Sequence, residues 1–297
     1  MTVQALTLVL AAALLHALWN LVAKRARHGR EGGQGEQLVL QLLTALAVAV
    51  LWAPAGLWAS VDELPRWGVE AWLAVGLSAA VHLAYFSALL TGYAQADLTV
   101  VYPVARGTGP LLASVGAVLL LGERPTFTGW AGIAAIALGV GLISGLLRSG
   151  SLVSSVSAGL RWGLLTGALI AAYTVVDAWA VKELGVQPLT YDYWCNLLRV
   201  PPLILLVWKL APAGALRTGW RDDRRAALVI GTCGPLAYIL VLWALKTAPL
   251  SAVAPARECS MLFAALIGGH LFDETDRAVR LLGAGAIAAG VVLIGLG

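Results

Sequence analysis

Ten apolar stretches, each about 20 residues long, follow one another along this 297-residue chain. A helix needs roughly 20 mostly apolar residues to cross the hydrocarbon of a bilayer, so each stretch predicts one membrane span. The composition agrees, because only 12% of the residues are charged and 60% are hydrophobic. We therefore expect an all-α integral membrane protein with ten transmembrane helices. The predicted spans are residues 4–24, 37–58, 69–91, 97–121, 127–147, 160–181, 188–208, 225–246, 250–271 and 278–296.

Lysine and arginine are unevenly divided between the connections. Connections after odd-numbered spans hold 13 of the 20, those after even-numbered spans hold 4, and Arg106, Arg199 and Arg257 lie inside spans. Basic loops of membrane proteins face the cytoplasm, which predicts cytoplasmic odd-numbered connections and termini on the outer side. The longest polar connections are expected at 25–37, 148–157 and 209–224. Because the charge follows this topology pattern, no nucleic-acid partner is expected.

The two halves of the chain share a register of polar and small residues. Tyr102-Pro103-Val104-Ala105-Arg106 is echoed by Ala254-Pro255-Ala256-Arg257, and Leu121-Gly122-Glu123-Arg124 by Phe272-Asp273-Glu274-Thr275. A duplication of about 150 residues explains this register, and it predicts repeats at 1–150 and 151–297. Five spans is an odd number, so the second repeat enters the membrane inverted. Other corresponding pairs are Lys24 and Lys182, Gly132 and Gly283, and Gly139 and Gly290.

On these residues the chain resembles the EamA-type members of the drug/metabolite transporter superfamily. The resemblance lies in His16-Ala17-Leu18-Trp19-Asn20 followed by Lys24, in Pro103 of span four, and in Leu121-Gly122-Glu123 before a Gly-rich fifth span. Weaker copies stand in the second half, where Asp273-Glu274 replaces Gly122-Glu123. The resemblance implies two five-helix repeats and transport activity. It does not imply a substrate, because relatives carry amino acids, drugs, sugars and nucleotide sugars on one scaffold.

The expected function is secondary transport by alternating access. The predicted substrate is a small polar or amphipathic metabolite (amino-acid-like, amine or drug-like), moved outward across the plasma (inner) membrane. Protons coupled through Glu258, Asp177 or His16 are one expected energy source, and exchange or facilitated movement is the rival. A lipid-linked sugar flippase and an intramembrane enzyme are the alternatives, the second without any nucleophile or metal-binding motif. The expected partners are the substrate, the lipid bilayer and protons, in a monomer or homodimer, with no cofactor or metal.

Ionisable side chains inside apolar spans are costly and usually face the interior of the bundle, so they indicate the substrate-binding site. Arg106 in span four and the pair Arg257 and Glu258 in span nine should meet where the repeats meet. Two roles are open. In one, an arginine pairs with Glu258 or Asp177 and holds the halves together; in the other, an arginine receives a substrate carboxylate or phosphate, and Glu258 or Asp177 receives an amine or a proton. The further candidates are His16, Trp19 and Asn20 of span one, His82 and Tyr85 of span three, Tyr102, Tyr173, Tyr238 and Trp243. For Asn20, a hydrogen bond between helices is expected.

Overall fold

The structure, a computed structural model, describes residues 1–27, 33–96, 98–143, 153–267 and 277–296. Within these ranges it is entirely helical, with one short 3-10 turn at Leu64–Arg66. The repeat motif at 272–275 and the predicted boundary between residues 150 and 151 lie outside the described residues. The helices are α1 (Val3–Arg27), α2 (Gln34–Leu51), α3 (Ala53–Glu63), α4 (Val69–Gln95), α5 (Leu98–Leu120), α6 (Phe127–Ile143), α7 (Val153–Lys182), α8 (Pro188–Leu210), α9 (Ala215–Leu245), α10 (Leu250–Ala256), α11 (Cys259–Ile267) and α12 (Arg277–Leu296).

These helices reproduce the ten predicted spans, since spans two and nine are each built from two helices. By length and hydropathy alone, five helices of the described chain can cross a membrane, and the bent pair of α2 and α3 makes a sixth. The other spans are α6, which has 17 residues, the polar α8, the interrupted pair of α10 and α11, and α12. The expected class, an all-α integral membrane protein of ten spans, is confirmed.

Span two is broken, so the predicted single helix at 37–58 is wrong. The axis turns by 64° between Gly35–Leu51 and Ala53–Arg66. Pro54 lies in the first turn of α3 and has no N–H to continue the hydrogen bonding of α2. The chain therefore changes direction at Trp52, and the second arm extends past the predicted end of the span.

Span nine is also broken, and the break is at its two charged residues. Pro255 cannot donate to the Ser251 carbonyl. The Ser114 hydroxyl of α5 lies 3.4 Å from that carbonyl oxygen and shares its proton with the closer Pro110 carbonyl, at 2.9 Å. The next turn tightens, because the Glu258 N–H bonds to the Pro255 carbonyl three residues back at 2.9 Å. Arg257 and Glu258 consequently lie between α10 and α11, so their side chains project from a turn rather than from a continuous helix.

Helix α9 begins ten residues earlier than predicted. Gly214, with φ of +81°, starts it, and residues 215–224 are helical rather than part of a connection at 209–224. A helix of 31 residues is about 46 Å long, well beyond a hydrocarbon core of about 30 Å. The charged first turns of α9 therefore extend the helix past the apolar layer.

The contact between α6 and α12 has the reciprocity that an inverted repeat requires. A methyl group added at Gly132 would lie 2.6 Å from the Gly290 carbonyl oxygen, and one added at Gly139 would lie 2.6 Å from that of Gly283. The two helices are therefore antiparallel. Because Gly132 corresponds to Gly283 and Gly139 to Gly290, each contact is the other one rotated about a two-fold axis perpendicular to the helices. Such an axis lies in the membrane plane, which confirms the inverted repeats.

The contacts between helices of the two repeats also occur in matching pairs. Helix α5 of the first repeat packs on α7 of the second, and α10 and α11 of the second pack on α1 of the first. In the same way α4 contacts α7 and α9 contacts α1. Helices α5 and α10 then face each other across the axis, so the break in span nine lies at the junction of the repeats.

Candidate functional site

Arg106 joins the two repeats at the centre of the bundle. Its Nη1 lies 3.7 Å from Glu258 Oε1 at the break in span nine, and its Nη2 lies 2.9 Å from His16 Nε2 on α1. The guanidinium also lies over the Tyr102 ring, 5.4 Å from its centroid. The structure thus brings together the charges of spans four and nine, as their positions in the repeats predict.

Glu258 is enclosed but only partly paired. Its side chain is 5% exposed, and its second oxygen, Oε2, has no hydrogen-bond partner among the described residues. Beside it is a cavity of about 10 Å³, bounded by α5, α6 and Pro255, with room for about one water molecule. A buried carboxylate oxygen without a donor is unfavourable, so this oxygen is able to accept from a further group.

Arg257, next to Glu258, has a different environment. Its guanidinium lies over the Tyr238 ring of α9, 5.5 Å from Cζ to the ring centroid. Among the described residues, no carboxylate lies within 4.0 Å of it. A guanidinium in the interior of a membrane protein that has no carboxylate within ion-pair distance has the chemistry to bind an anion.

An aromatic cluster from α4, α7 and α9 borders this arginine. The His82 ring stacks on Tyr173 with centroids 3.8 Å apart, and the Tyr85 ring is 5.8 Å from Tyr173. Tyr238 completes the cluster, 6.4 Å from Tyr173 and 6.1 Å from His82. The His82 ring is fixed by its Nδ1, which lies 2.9 Å from the Ser78 carbonyl oxygen. The cluster offers an apolar wall with hydroxyl groups at its margin.

Asp177 lies behind this wall and does not pair with an arginine. It is fully buried, and its two oxygens accept hydrogen bonds from Tyr191, at 2.7 Å, and from Tyr238. The alternative in which Asp177 forms an ion pair with Arg106 or Arg257 is therefore wrong for this arrangement. Sequence reasoning did not identify Tyr191 as its partner.

The remaining candidates of α1 surround His16. Trp19 contacts the His16 ring edge to face, with centroids 4.8 Å apart, and its Nε1 has no partner among the described residues. Asn20 donates to the His16 carbonyl within α1 at 2.8 Å, and the bond that we expected between helices is not found among the described residues.

Trp243 is the candidate that the structure separates from the others. It is 42% exposed on the outside of α9 and stacks with Lys246 near the helix end, 5.4 Å from Nζ to the ring centroid. The structure therefore does not place it in the aromatic cluster around Tyr238.

Arg199 of α8, the third arginine inside a predicted span, forms hydrogen bonds within its own helix. It donates to the Cys195 carbonyl at 3.2 Å and to the Asn196 side chain, while Asn196 donates to Asp192 at 3.0 Å. These contacts form a polar ladder along one face of α8.

A second polar cluster, which we call the Glu123 clamp, was not predicted. Glu123 in the loop after α5 accepts from Lys182 Nζ at 2.8 Å and from the Leu250 N–H at 2.7 Å, both through Oε1. Its Oε2 accepts from the N–H and the hydroxyl of Ser251, at 2.9 and 2.7 Å. Burial opposes the charged form of Glu123, but the bonds from Lys182, Ser251 and Leu250 outweigh it, and the pKa of the carboxyl is lowered. The glutamate was recognised as a repeat marker, yet its contacts lie more than fifty residues away in sequence.

Comparison with known proteins agrees with this architecture. The EamA-like transporter family matches residues 3–145 and again 157–296. No curated protein matches the chain, whereas 29 chains of solved structure do. One crystal structure aligns with 100% of this chain and 98% of its own length, with a TM-score of 0.77 and 17% identity, and at that identity it shows the fold alone. Because the family matches both halves, the chain belongs to the EamA-like transporter family and is a multi-pass membrane transporter of small molecules.

Proposed function

We propose that this protein is a secondary transporter that exports a small amino-acid-like metabolite by alternating access. The observation that carries the proposal is the pair at the break in span nine. Among the described residues, Arg257 has no carboxylate within ion-pair distance, and the adjacent Glu258 has an oxygen without a donor. A cationic group and an acceptor on consecutive residues match the carboxylate and the ammonium group of an α-amino acid.

The substrate's side chain is accounted for by the aromatic cluster. Tyr173, Tyr238 and His82 adjoin Arg257 and offer an apolar surface that suits an aromatic or aliphatic group. Binding at the repeat junction also suits the inverted-repeat architecture, in which the repeats rock about a site near the bilayer midplane. The Glu123 clamp supports alternating access, because it ties the end of α7 to the start of α10 at one side of the bundle.

The chain contains no nucleotide-binding motif, so a gradient is the proposed energy source. Glu258 is the favoured proton carrier, because Asp177 already accepts from two tyrosines. The proposed location is the plasma (inner) membrane, and the proposed state is a monomer or homodimer. If an imposed pH gradient leaves transport in liposomes unchanged, the proton version is wrong and exchange takes its place.

The test uses purified protein in liposomes and three radiolabelled probes. L-Phenylalanine carries both charged groups, phenethylamine lacks the carboxylate, and 3-phenylpropionate lacks the amine. We expect uptake of L-phenylalanine to exceed that of either analogue. Arg257→Ala should reduce it at least tenfold, because a buried charged hydrogen bond contributes about 1.5–3 kcal/mol.

Arg217→Ala, an exposed arginine in the first turns of α9, is the matched control and should transport like the unmodified protein. Equal transport by the Arg257→Ala and Arg217→Ala proteins would remove Arg257 from the site. Failure to transport or bind any of the three probes would refute the proposed substrate class.

A further inference from the structure

Asp177 is the most enclosed charged side chain near the site, and its surroundings leave it no free oxygen. It has no exposed surface, and Tyr191 and Tyr238 each donate a hydroxyl to one of its oxygens. A carboxylate in this state has no face for a substrate. The Ser78 side chain of α4 also hydrogen-bonds to this carboxylate, and of the three partners Tyr238 alone has a ring contact with Arg257 among the described residues.

Tyr238 connects this carboxylate to the proposed substrate site. Its hydroxyl donates to Asp177 Oδ2, and the face of its ring lies under the Arg257 guanidinium at 5.5 Å. The ring is also bounded by Tyr173 and His82 on its other sides. Tyr191 bonds to the same carboxylate and to the Ala74 carbonyl, but in the part of the chain that the structure describes it has no hydrogen bond or ring contact with Arg257.

The chemistry of a phenol explains how such a connection acts. A hydroxyl that donates to a carboxylate forms a strong, charge-assisted hydrogen bond, which fixes the orientation of the ring. The bond also shifts electron density towards the ring, and a more negative ring face attracts a cation more strongly. Both effects act on the position of Arg257.

We propose that Asp177 is a positioning residue for substrate recognition: through Tyr238 it holds the Arg257 guanidinium in place for an anionic substrate group. The predicted change in transport rests on the proposed function. The predicted change in the surroundings of Arg257 does not. Asp177 neither touches the substrate nor carries a coupling proton in this scheme.

The first experiment reads Arg257 directly, without a substrate. The protein in liposomes is treated with phenylglyoxal, which modifies guanidinium groups, and the adduct at Arg257 is quantified by mass spectrometry. Asp177→Asn and Tyr238→Phe should each raise the adduct rate about two- to tenfold, as expected when a partly desolvated cation–π contact is weakened because the ring loses its fixed orientation and part of its electron density. The double variant should show no further rise, because both changes break one connection.

Tyr191→Phe is the matched control. It removes a different hydrogen bond of the same carboxylate, and it should leave the adduct rate at Arg257 unchanged. Tyr238→Phe keeps the ring and its packing, so it remains informative if Asp177→Asn does not fold. An unchanged adduct rate in Tyr238→Phe, or an equal rise in Tyr191→Phe, would overturn the proposal.

The second experiment measures transport kinetics. Asp177→Asn and Tyr238→Phe should raise KM for L-phenylalanine and 3-phenylpropionate at an unchanged maximal rate, while KM for phenethylamine stays constant. General structural damage would instead lower the maximal rate for every transported probe. Loss of the response to a pH gradient at unchanged KM would identify Asp177 as a proton carrier and refute the positioning role. If the Arg257→Ala protein still transports L-phenylalanine, the proposed function fails. The phenylglyoxal result would still show whether Tyr238 holds Arg257 in place.

Discussion

At the scale of single residues, the direction of one hydrogen bond limits what His16 can do. Arginine has no acceptor, so in its contact with Arg106 the His16 Nε2 must accept. The imidazole is then neutral, with its proton on Nδ1, for as long as this contact lasts. His16 thus serves as an acceptor for Arg106 in this arrangement, and a proton could bind at Nε2 only after the contact breaks.

This role predicts different outcomes for two substitutions of His16. His16→Gln offers a side-chain oxygen to Arg106 and should leave the free energy of unfolding nearly unchanged. His16→Leu leaves a buried guanidinium nitrogen without its acceptor and should lower that free energy by about 1–3 kcal/mol. Chemical denaturation in detergent measures both. A similar loss in the two variants would show that the imidazole ring, rather than its acceptor, matters.

Residue types and spacing identified most members of the site but not their connections. Arg106, Arg257 and Glu258 were found because charges inside spans are exceptional, and their meeting follows from the repeat. The bond from Tyr238 to Asp177 joins residues 61 positions apart and depends on how α7 and α9 are rotated, which spacing does not reveal. Trp243 could have been excluded, since a separation of five residues from Tyr238 is about 140° around a helix.

At the scale of helices, backbone polar groups at the breaks and ends of spans form hydrogen bonds with side chains that are distant in the sequence. The Glu123 clamp caps the short α10 with a carboxylate from the other repeat, and Ser114 of α5 bonds the carbonyl that Pro255 leaves unpaired. Sequence patterns located these spans, yet they merged both broken helices into single ones. Hydropathy averages over the breaks, and a proline alone does not reveal whether its helix bends or separates.

The clamp predicts a pH dependence of stability that belongs to Glu123. Its pKa is lowered in the folded protein, so the stabilisation is fully present above the ordinary glutamate value of 4.5 and is lost as the pH falls from there through the lowered pKa. Glu123→Gln should be less stable near neutral pH, and the difference should shrink in acid. Thermal unfolding between about pH 7 and pH 3 measures it. Glu36→Gln, an exposed glutamate in the first turn of α2, is the control, and an equal pH response in both variants would contradict the prediction.

At the scale of the whole molecule, glycines bring the backbones of the two repeats into contact at the seam between α6 and α12. Gly132 meets Gly290 and Gly139 meets Gly283, so backbone touches backbone at two points related by the two-fold axis. The register of these glycines was visible in the sequence as a repeat. Their reciprocal contact was not, because a repeat defines which residues correspond and not which residues touch.

The seam predicts opposite effects for the same substitution at two glycines of α12. At Gly285 a methyl group would meet nothing within 4 Å, so Gly285→Ala should raise the free energy of unfolding by about 0.5–1 kcal/mol through reduced backbone entropy. At Gly290 it would lie 2.6 Å from Ile136 Cγ1 and 2.7 Å from the Gly132 carbonyl oxygen, so Gly290→Ala should lower the free energy by forcing the helices apart. Chemical denaturation of the two variants gives the comparison, and Gly132→Ala should repeat the Gly290→Ala loss from the other side of the axis. If Gly290→Ala were as stable as Gly285→Ala, the close contact between the two repeats would not exist in the folded protein.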